Sequence, residues 1–511
     1  MSRSLNWWGW GFEDTRPRAQ DMAATVVETL GFGSTDIEQP VAFDSIELPP
    51  PRLESPFATG KRDRMRHAYG RSYLDTVRAF RGRFDHVPDA VAYVRSESEV
   101  ERALEWAASR NAAVIPYGGG TSVCGGVEPA VPSRFDGVLS LDVSQMNRVL
   151  EVDDVSRAAL IQAGPTGPSL EAQLREHGMT MRFFPQSFEL ATLGGMIATR
   201  AGGHFATLWT HIDDLVESVR AITPSGAWES RRLPGSGAGP SPDRLLLGSE
   251  GILGVITQAW MRVQPRPTHR ASRAVRFESF LHGAEAVREL SQSGLHPANC
   301  RLVDELEARQ TGMGDGGQAV LVLGFESTDH PVDSQLRRAL EICAGHGGGA
   351  DEQREGKGSV AAWRDAFLAM PYLRDVLLQC GVLSDTFETA ITWEHFPSFH
   401  HAVLNATREA LGEPCRVSCR FTHVYPDGPA PYYTILAPAR RGDELAQWQE
   451  MKRAASDAIL AAGGTITHHH AVGRDHRPWY DEQRPDLFAG ALRAVKGVLD
   501  PQGLLNPGVL V

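Results

Sequence analysis

A short apolar run, Ala112 to Tyr117, delivers the chain directly into Gly118-Gly119-Gly120-Thr121-Ser122. Consecutive glycines let a backbone adopt positive φ and approach a ligand closely. Their successive N–H groups form a concave donor set for phosphate oxygens, and the two hydroxyls add donors. No lysine follows, so the pattern is not G-x-x-x-x-G-K-[ST], and a P-loop kinase or ATPase is disfavoured. It is not the dinucleotide G-x-G-x-x-G in its strand–helix context either. A tight turn would account for one such cluster. Two more follow: Pro185-Gln186-Ser187-Phe188-Glu189-Leu190-Ala191-Thr192-Leu193-Gly194-Gly195, continuing to Thr199-Arg200-Ala201-Gly202-Gly203, and Gly248-Ser249-Glu250-Gly251-Ile252-Leu253-Gly254-Val255-Ile256. The combination suits a flat or anionic ligand and exceeds what turns require.

Around these segments the pattern is α/β. Ser96-x-x-Glu99 predicts a capping box ahead of Val100, Leu104, Ala107 and Ala108 at helical spacing. Strands are expected at Val138 to Leu141, Arg148 to Val152, Ala158 to Ala163, Leu215 to Ile222 and Ile252 to Val263, with a helix from Ser169 to His177 stopped by Gly178. The texture changes near Pro267. Beyond it, helices (Gly283 to Leu290, Gln335 to Cys343, Glu444 to Leu460) mix with strands (Ala319 to Phe325, Arg416 to Val424, Tyr432 to Leu436). The expected partition is an N-terminal segment 1–84, a ligand domain 85–266, a cap 267–460, and a C-terminal segment 461–511 that returns to the site. Within the first segment, arginine-dense Lys61 to Arg83 is expected as a solvated helix packed on the body, or alternatively as a patch facing anionic lipid.

The 511 residues give room for about three domains. A net charge of −12 argues against a nucleic-acid binder. Six cysteines without a CxxC pair imply a reduced, cytoplasmic protein. No apolar run approaches the roughly 18 residues of a membrane span, and no secretory signal is expected. Cys415 and Cys419 near His423 lack a second ligand pair at zinc spacing, so no metal is expected.

The three glycine segments, with the closing Asp500-Pro501-x-Gly503-x-Leu505-Asn506-Pro507, resemble the FAD-binding domain of the vanillyl-alcohol oxidase/p-cresol methylhydroxylase superfamily. Within it, His468-His469-His470-Ala471-Val472-Gly473 is similar to the triple-histidine motif of the alkylglycerone phosphate synthase (alkyldihydroxyacetonephosphate synthase) family. Cys300-Arg301-Leu302-Val303-Asp304, Tyr372-Leu373-Arg374-Asp375 with Thr386-Phe387-Glu388-Thr389, Cys419 to Tyr425 with Tyr432, and the opening Trp7 to Gly11 agree. The resemblance implies an α+β protein, a two-part FAD domain with an α+β substrate cap. FAD would be non-covalent, held by Pro116 to Ser122, Gln186 to Thr192, Thr199 to Gly202 and Glu250 to Ile256. The implied reaction exchanges the acyl group of an acyl-dihydroxyacetone phosphate for a long-chain fatty alcohol, with the flavin as a covalent trap and no net redox change. Tyr432 and His468, His469 and His470 would move protons, and Arg374 and Arg301 would bind substrate. Gln186, Ala471 and Arg474-Asp475-His476 depart from the animal members, and the chain ends Val509-Leu510-Val511 without a peroxisomal signal, which implies a bacterial origin. Peripheral contact with the inner face of the cell membrane and a homodimer are further expectations.

Other readings compete residue by residue. Tyr433 neighbours Tyr432, and only the seven-residue spacing from Tyr425 selects the latter. Arg301 and Arg374 sit among apolar residues, where either an anion or a salt bridge to Asp304 or Asp375 would satisfy them. An extended histidine run would turn His468 and His470 one way and His469 the other, which opposes a three-histidine metal site. The alternative function is an FAD-dependent 2-hydroxy acid (lactate/glycolate-type) dehydrogenase, but its H-G-x-G-x-x-H element is absent. A flavin-bearing binding subunit is the third reading.

Overall fold

The computed structural model describes residues 4–351 and 359–511, the side chains of 359–368 excepted. In the first half, a parallel sheet has the spatial order Ala90–Tyr93, Gly137–Asp142, Ala112–Tyr117. All six positions of Gly137–Asp142 are buried, as expected of a central parallel strand covered on both faces. Helix Glu97–Ser109 begins where Ser96 Oγ accepts the Glu99 N–H, while the Glu99 carboxylate reaches back to the Arg95 N–H, one residue before a standard box. A five-stranded antiparallel sheet shares the same hydrophobic core, in the order Val149–Asp153, Ala158–Gln162, Val255–Arg262, Val216–Thr223, Gly226–Glu229.

The second half is a seven-stranded antiparallel sheet, ordered Gly349–Ala350, His269–Phe277, Ala319–Ser327, Asn299–Val303, Arg416–Val424, Pro429–Pro438, Val382–Glu388. Helices Phe280–Gln292, Asp333–Gly345, Phe396–Leu411 and Glu444–Ala461 cover one face with a single apolar cluster. The other face looks toward the first half. Register places Arg420 opposite Tyr432, and Tyr432 opposite Glu388. One row of that inner face therefore carries three polar groups on adjacent strands.

The two ends of the chain tie the halves together. Trp8 packs edge-on against Phe80 at 5.0 Å, and the Trp10 N–H donates to the buried Asp375 carboxylate at 2.8 Å. Helix Ala19–Leu30 shares an apolar cluster with Leu373, Val376 and Leu377 of helix Ser359–Gln379. Leu505 forms a parallel bridge with Val114, extending the first sheet. The Asp500 carboxylate accepts the Leu504 and Leu505 N–H groups, and Asn506 Nδ2 donates to Gly126 O and Glu250 O. Among the described residues no helix is long and apolar enough to cross a membrane.

Two expectations need correction. Lys61 to Arg83 is not a solvated helix. It forms Lys61–Arg66 and Tyr73–Phe80, with Arg64 and Arg71 buried and Tyr73 and Val77 fully enclosed. Arg64 is satisfied by the carbonyls of Pro88 and Pro49, so its charge was no sign of exposure. The strand expected from Ile252 starts at Val255, because Glu250 and Gly251 take positive φ and Ile252 to Gly254 complete a loop.

Removing the Asn506 amide leaves two buried carbonyls without their donor, at about 1–3 kcal/mol each. Asn506→Ala should lower the thermal unfolding midpoint and speed loss of bound cofactor. A midpoint equal to wild type would show that this stitch contributes nothing.

Candidate active site

Between the halves lies a cavity of about 580 Å³. Its floor is the glycine loop. A side chain on Gly119 would meet Leu190 O at 1.9 Å, and one on Gly118 would meet Thr192 Oγ1 at 2.1 Å. Gly120 takes φ of 63°. Thr192 Oγ1 is buried beside this cradle with no partner among the described residues. Backbone amides, small residues and an orphaned hydroxyl make a site that fits a flavin dinucleotide, with Pro116 to Ser122, Gln186, Ser187, Ala191, Thr192, Thr199, Ala201, Gly202, Glu250, Gly251 and Gly254 to Ile256 on its walls.

Six expected cofactor residues do not reach the cavity. The Phe188 ring packs beside Phe184 and over Gly167, Glu189 accepts the Tyr372 hydroxyl, and Leu190 is buried behind the loop. Arg200 turns outward to Asp213, while Ile252 and Leu253 are wholly enclosed in the core. Side chains along a tight segment diverge, so a contiguous motif supplies only some ligand contacts. Cys124 is also directed away: its thiol donates to His470 O at 3.1 Å, and burial pushes its pKa well up. The first glycine loop thus offers no side chain for covalent flavin attachment.

The histidine run is not extended, so the alternation an extended run would impose does not apply. It wraps around the Glu388 carboxylate, which accepts the N–H groups of His468, His469 and His470 at 2.7–3.1 Å and the Thr467 hydroxyl. Burial opposes the Glu388 charge. The interaction with His469 leads those that outweigh it and hold the carboxyl well below the usual range. Two residues on, Val472 and Gly473 N–H groups donate to Glu250 at 2.9 and 2.8 Å. Among the described residues, Glu250 has these two donors alone. Burial wins there, and its pKa is pushed up to about 7.

His469 and His470 face the cavity; His468 does not. The Nε2 of His468 lies 2.8 Å from the Tyr425 hydroxyl and its Nδ1 lies 3.1 Å from His469 Nδ1, so it supports its neighbour from behind. Burial draws His470 down to about 3 and His468 well below its ordinary value, so both are neutral imidazoles. Strand alternation separates the two tyrosines. Tyr432 faces the cavity, donates to Thr386 Oγ1 at 2.9 Å, and lies under the Arg420 guanidinium at 3.9 Å. Tyr433 is fully buried on the helix side, against His400 Nδ1 at 3.1 Å. Burial raises the Tyr432 pKa, keeping its proton in place.

Arg301 and Arg374 also line the cavity. Burial brings Arg301 down to about 10, and the Arg420 charge adds to this. Asp375 is occupied by Trp10 and Arg16, and Asp304 accepts the Glu307 and Cys419 N–H groups. Motif reading missed Arg420 as a cavity residue and the special place of Glu388. Arg420 pairs with Glu307 at 2.7 Å. It also missed His423, which a bulge between Phe421 and His423 turns into the cavity. His423, His468 and His469 bring ring nitrogens within 4.8 Å of one another. Both His423 nitrogens already face Thr422 Oγ1 and Gly203 O.

Residues 88–230 match the FAD binding domain, and residues 266–510 match the C-terminal domain of FAD linked oxidases. The Caenorhabditis elegans alkyldihydroxyacetonephosphate synthase is 30% identical over 89% of this chain and 81% of its own length. This chain belongs to the alkyldihydroxyacetonephosphate synthase family. The Dictyostelium discoideum synthase is 29% identical over 98% of this chain and 86% of its own. A solved alkyldihydroxyacetonephosphate synthase superposes with a TM-score of 0.82 at 25% identity, covering 98% of this chain and 97% of that one. The mitochondrial cytochrome-dependent D-lactate dehydrogenase of Arabidopsis thaliana is 27% identical over 83% of this chain and 74% of its own length. The fold is thus the two-part FAD architecture with a cap, and FAD is the cofactor.

Glu250 holds its proton more tightly folded than unfolded. Its contribution to stability is full below the ordinary value of 4.5 and is lost as pH rises through about 7. Glu250→Gln removes this titration. Between about pH 5 and pH 9, the thermal midpoint of the FAD-loaded variant should fall less steeply than that of wild type. Parallel profiles would show that this carboxyl is not raised.

Proposed function

We propose that the protein exchanges the acyl group at C1 of an acyl-dihydroxyacetone phosphate for a long-chain fatty alcohol, giving the ether-lipid precursor and a fatty acid. The observation that carries this reading is one cavity with three chemically distinct walls. The glycine cradle fits the flavin. Arg301 and Arg374 supply positive charge. Met22, Val26 and Leu30 of the first helix, with Leu373, Leu377 and Leu436, form an apolar arm. A lactate or glycolate needs no such arm, whereas an acyl or alkyl chain does.

In this reaction the C1–O bond breaks as the carboxylate leaves, and an alcohol oxygen bonds to C1 while its proton is released. Electrons balance without an acceptor. FAD, held by the glycine cradle, would supply a nucleophilic ring nitrogen to this chemistry. The chain's own groups handle protons and charge. His470 is a neutral imidazole able to accept a proton, and His469 Nδ1 lies 3.3 Å from Glu388 Oε2. Tyr432 retains its proton and can donate it. Arg374, with Arg301, balances the substrate's anionic end. The apolar arm excludes water from one side of the reacting carbon.

Two measurements bear on this. With acyl-dihydroxyacetone phosphate and labelled long-chain alcohol under anaerobic conditions, the enzyme should form ether product over many turnovers without an electron acceptor. Flavin bleaching by D-lactate or glycolate, reversed by an acceptor and without ether product, would move the protein to the dehydrogenase class. Tyr432→Phe and His469→Ala should each lower exchange by about 10²–10⁴-fold while the bound flavin spectrum persists. Full activity in Tyr432→Phe would remove that hydroxyl from the proton path, since Tyr433 cannot replace it from the opposite face.

A further inference from the structure

Arg71 has no role in the site as described so far, yet its surroundings demand one. It lies between helices Lys61–Arg66 and Tyr73–Phe80, and its N–H donates to Ser122 O at the end of the glycine loop at 2.6 Å. A side chain on the preceding Gly70 would meet the same carbonyl at 2.2 Å, so the two segments are in backbone contact. The Arg71 side chain is 7% exposed and lines the cavity. Its Nη1 donates to Gly70 O at 2.7 Å, while Nε is buried without a partner among the described residues.

No carboxylate among the described residues forms an ion pair with this guanidinium. Asp375 is taken by Trp10 and Arg16, and Asp75 by Arg78 and the Ser72 N–H. Arg374 repeats the situation. It lines the same cavity, its Nη1 donates to the carbonyl of Arg71 itself, and its Nε is also buried without a partner. Two guanidiniums, buried Arg71 and half-buried Arg374, thus meet at one residue, each with a buried Nε that has no partner among the described residues. Such an arrangement is expensive unless an anion completes it. A tetrahedral oxyanion suits two planar forks, because each can engage a separate pair of its oxygens.

We propose that Arg71 and Arg374 form a two-guanidinium clamp for a phosphate group, the phosphomonoester of the three-carbon substrate. This assignment rests on the reaction proposed above. Its shared chemistry leaves one other source, the flavin pyrophosphate, which the test separates. Arg71 belongs to the segment anchored on the glycine loop and Arg374 to the cap. The clamp therefore closes only when the two halves are docked, and it sets the substrate's anionic end at their junction.

The test uses FAD-loaded protein with inorganic phosphate and with dihydroxyacetone phosphate, neither of which requires turnover. Both ligands should raise the thermal midpoint of wild type in a saturable way. Arg71→Gln should weaken their apparent affinity by about 10–100-fold at unchanged FAD content, and Arg71→Lys should recover little, because an ammonium lacks the fork. Loss of FAD with phosphate affinity intact would assign Arg71 to the cofactor and overturn the proposal. A lower midpoint with an unaltered phosphate-dependent rise would leave only a structural role and would equally overturn it. Should Arg71→Gln not fold, Arg71→Lys and Arg374→Gln read the same increment. Arg71-dependent phosphate binding in a protein that makes no ether product would sink the proposed reaction and spare the clamp.

Discussion

Five backbone N–H groups in one short segment are held by two buried carboxylates, one from each half of the molecule. Glu388 takes those of His468, His469 and His470, and Glu250 takes those of Val472 and Gly473. The rest of the site depends on this. Glu388 stands in register with Tyr432 on the next strand, so the carboxylate that shapes the histidine run also fixes its distance from the tyrosine. Glu250 sits in the loop that borders the flavin cradle and gives its carbonyl to Asn506. The two acids differ in state because they differ in neighbours. Glu388 faces the imidazole of His469, whose interaction with the carboxylate outweighs burial, whereas the two amides at Glu250 do not offset it.

Charge is concentrated where the two halves meet. Arg420 is almost wholly enclosed, pairs with Glu307, and lies over the Tyr432 ring. Its charge favours an ionised tyrosine, while burial favours the neutral phenol and prevails. The same burial keeps His468 and His470 uncharged. Neutral acid and base groups a few ångströms apart can exchange protons with a substrate without first leaving ion pairs.

Much of this was legible in the sequence where backbone requirements dictate residue type. Gly118 to Gly120 had to be glycine because neighbouring atoms occupy the space a side chain would take, and such positions announce themselves. The strand Arg416–Val424 showed through its apolar alternation, and Pro429–Pro438 through the apolar stretch Tyr432 to Leu436. His269–Phe277, Asn299–Val303 and Val382–Glu388 did not, because arginines and acids serving the inner face interrupt the pattern. The histidine run was recognisable as a motif, but its conformation was not, since the carboxylate it wraps lies about 80 residues earlier. The buried arginines of Lys61 to Arg83 looked like surface for the same reason: the carbonyls satisfying them are remote in sequence.

Leu505 pairs with Val114, and Asn506 bonds to Gly126 across 380 residues of chain. The edge of the first sheet and the wall of the flavin cradle are therefore incomplete until residues near 506 have been synthesised. Closing so long a loop is slow as well as entropically costly. On the ribosome, the first half must wait, with its sheet edge open, through translation of the whole cap. Stable capture of the flavin becomes one of the last events in the life of the nascent chain, and a premature stop anywhere in the cap forfeits the cofactor together with the substrate site.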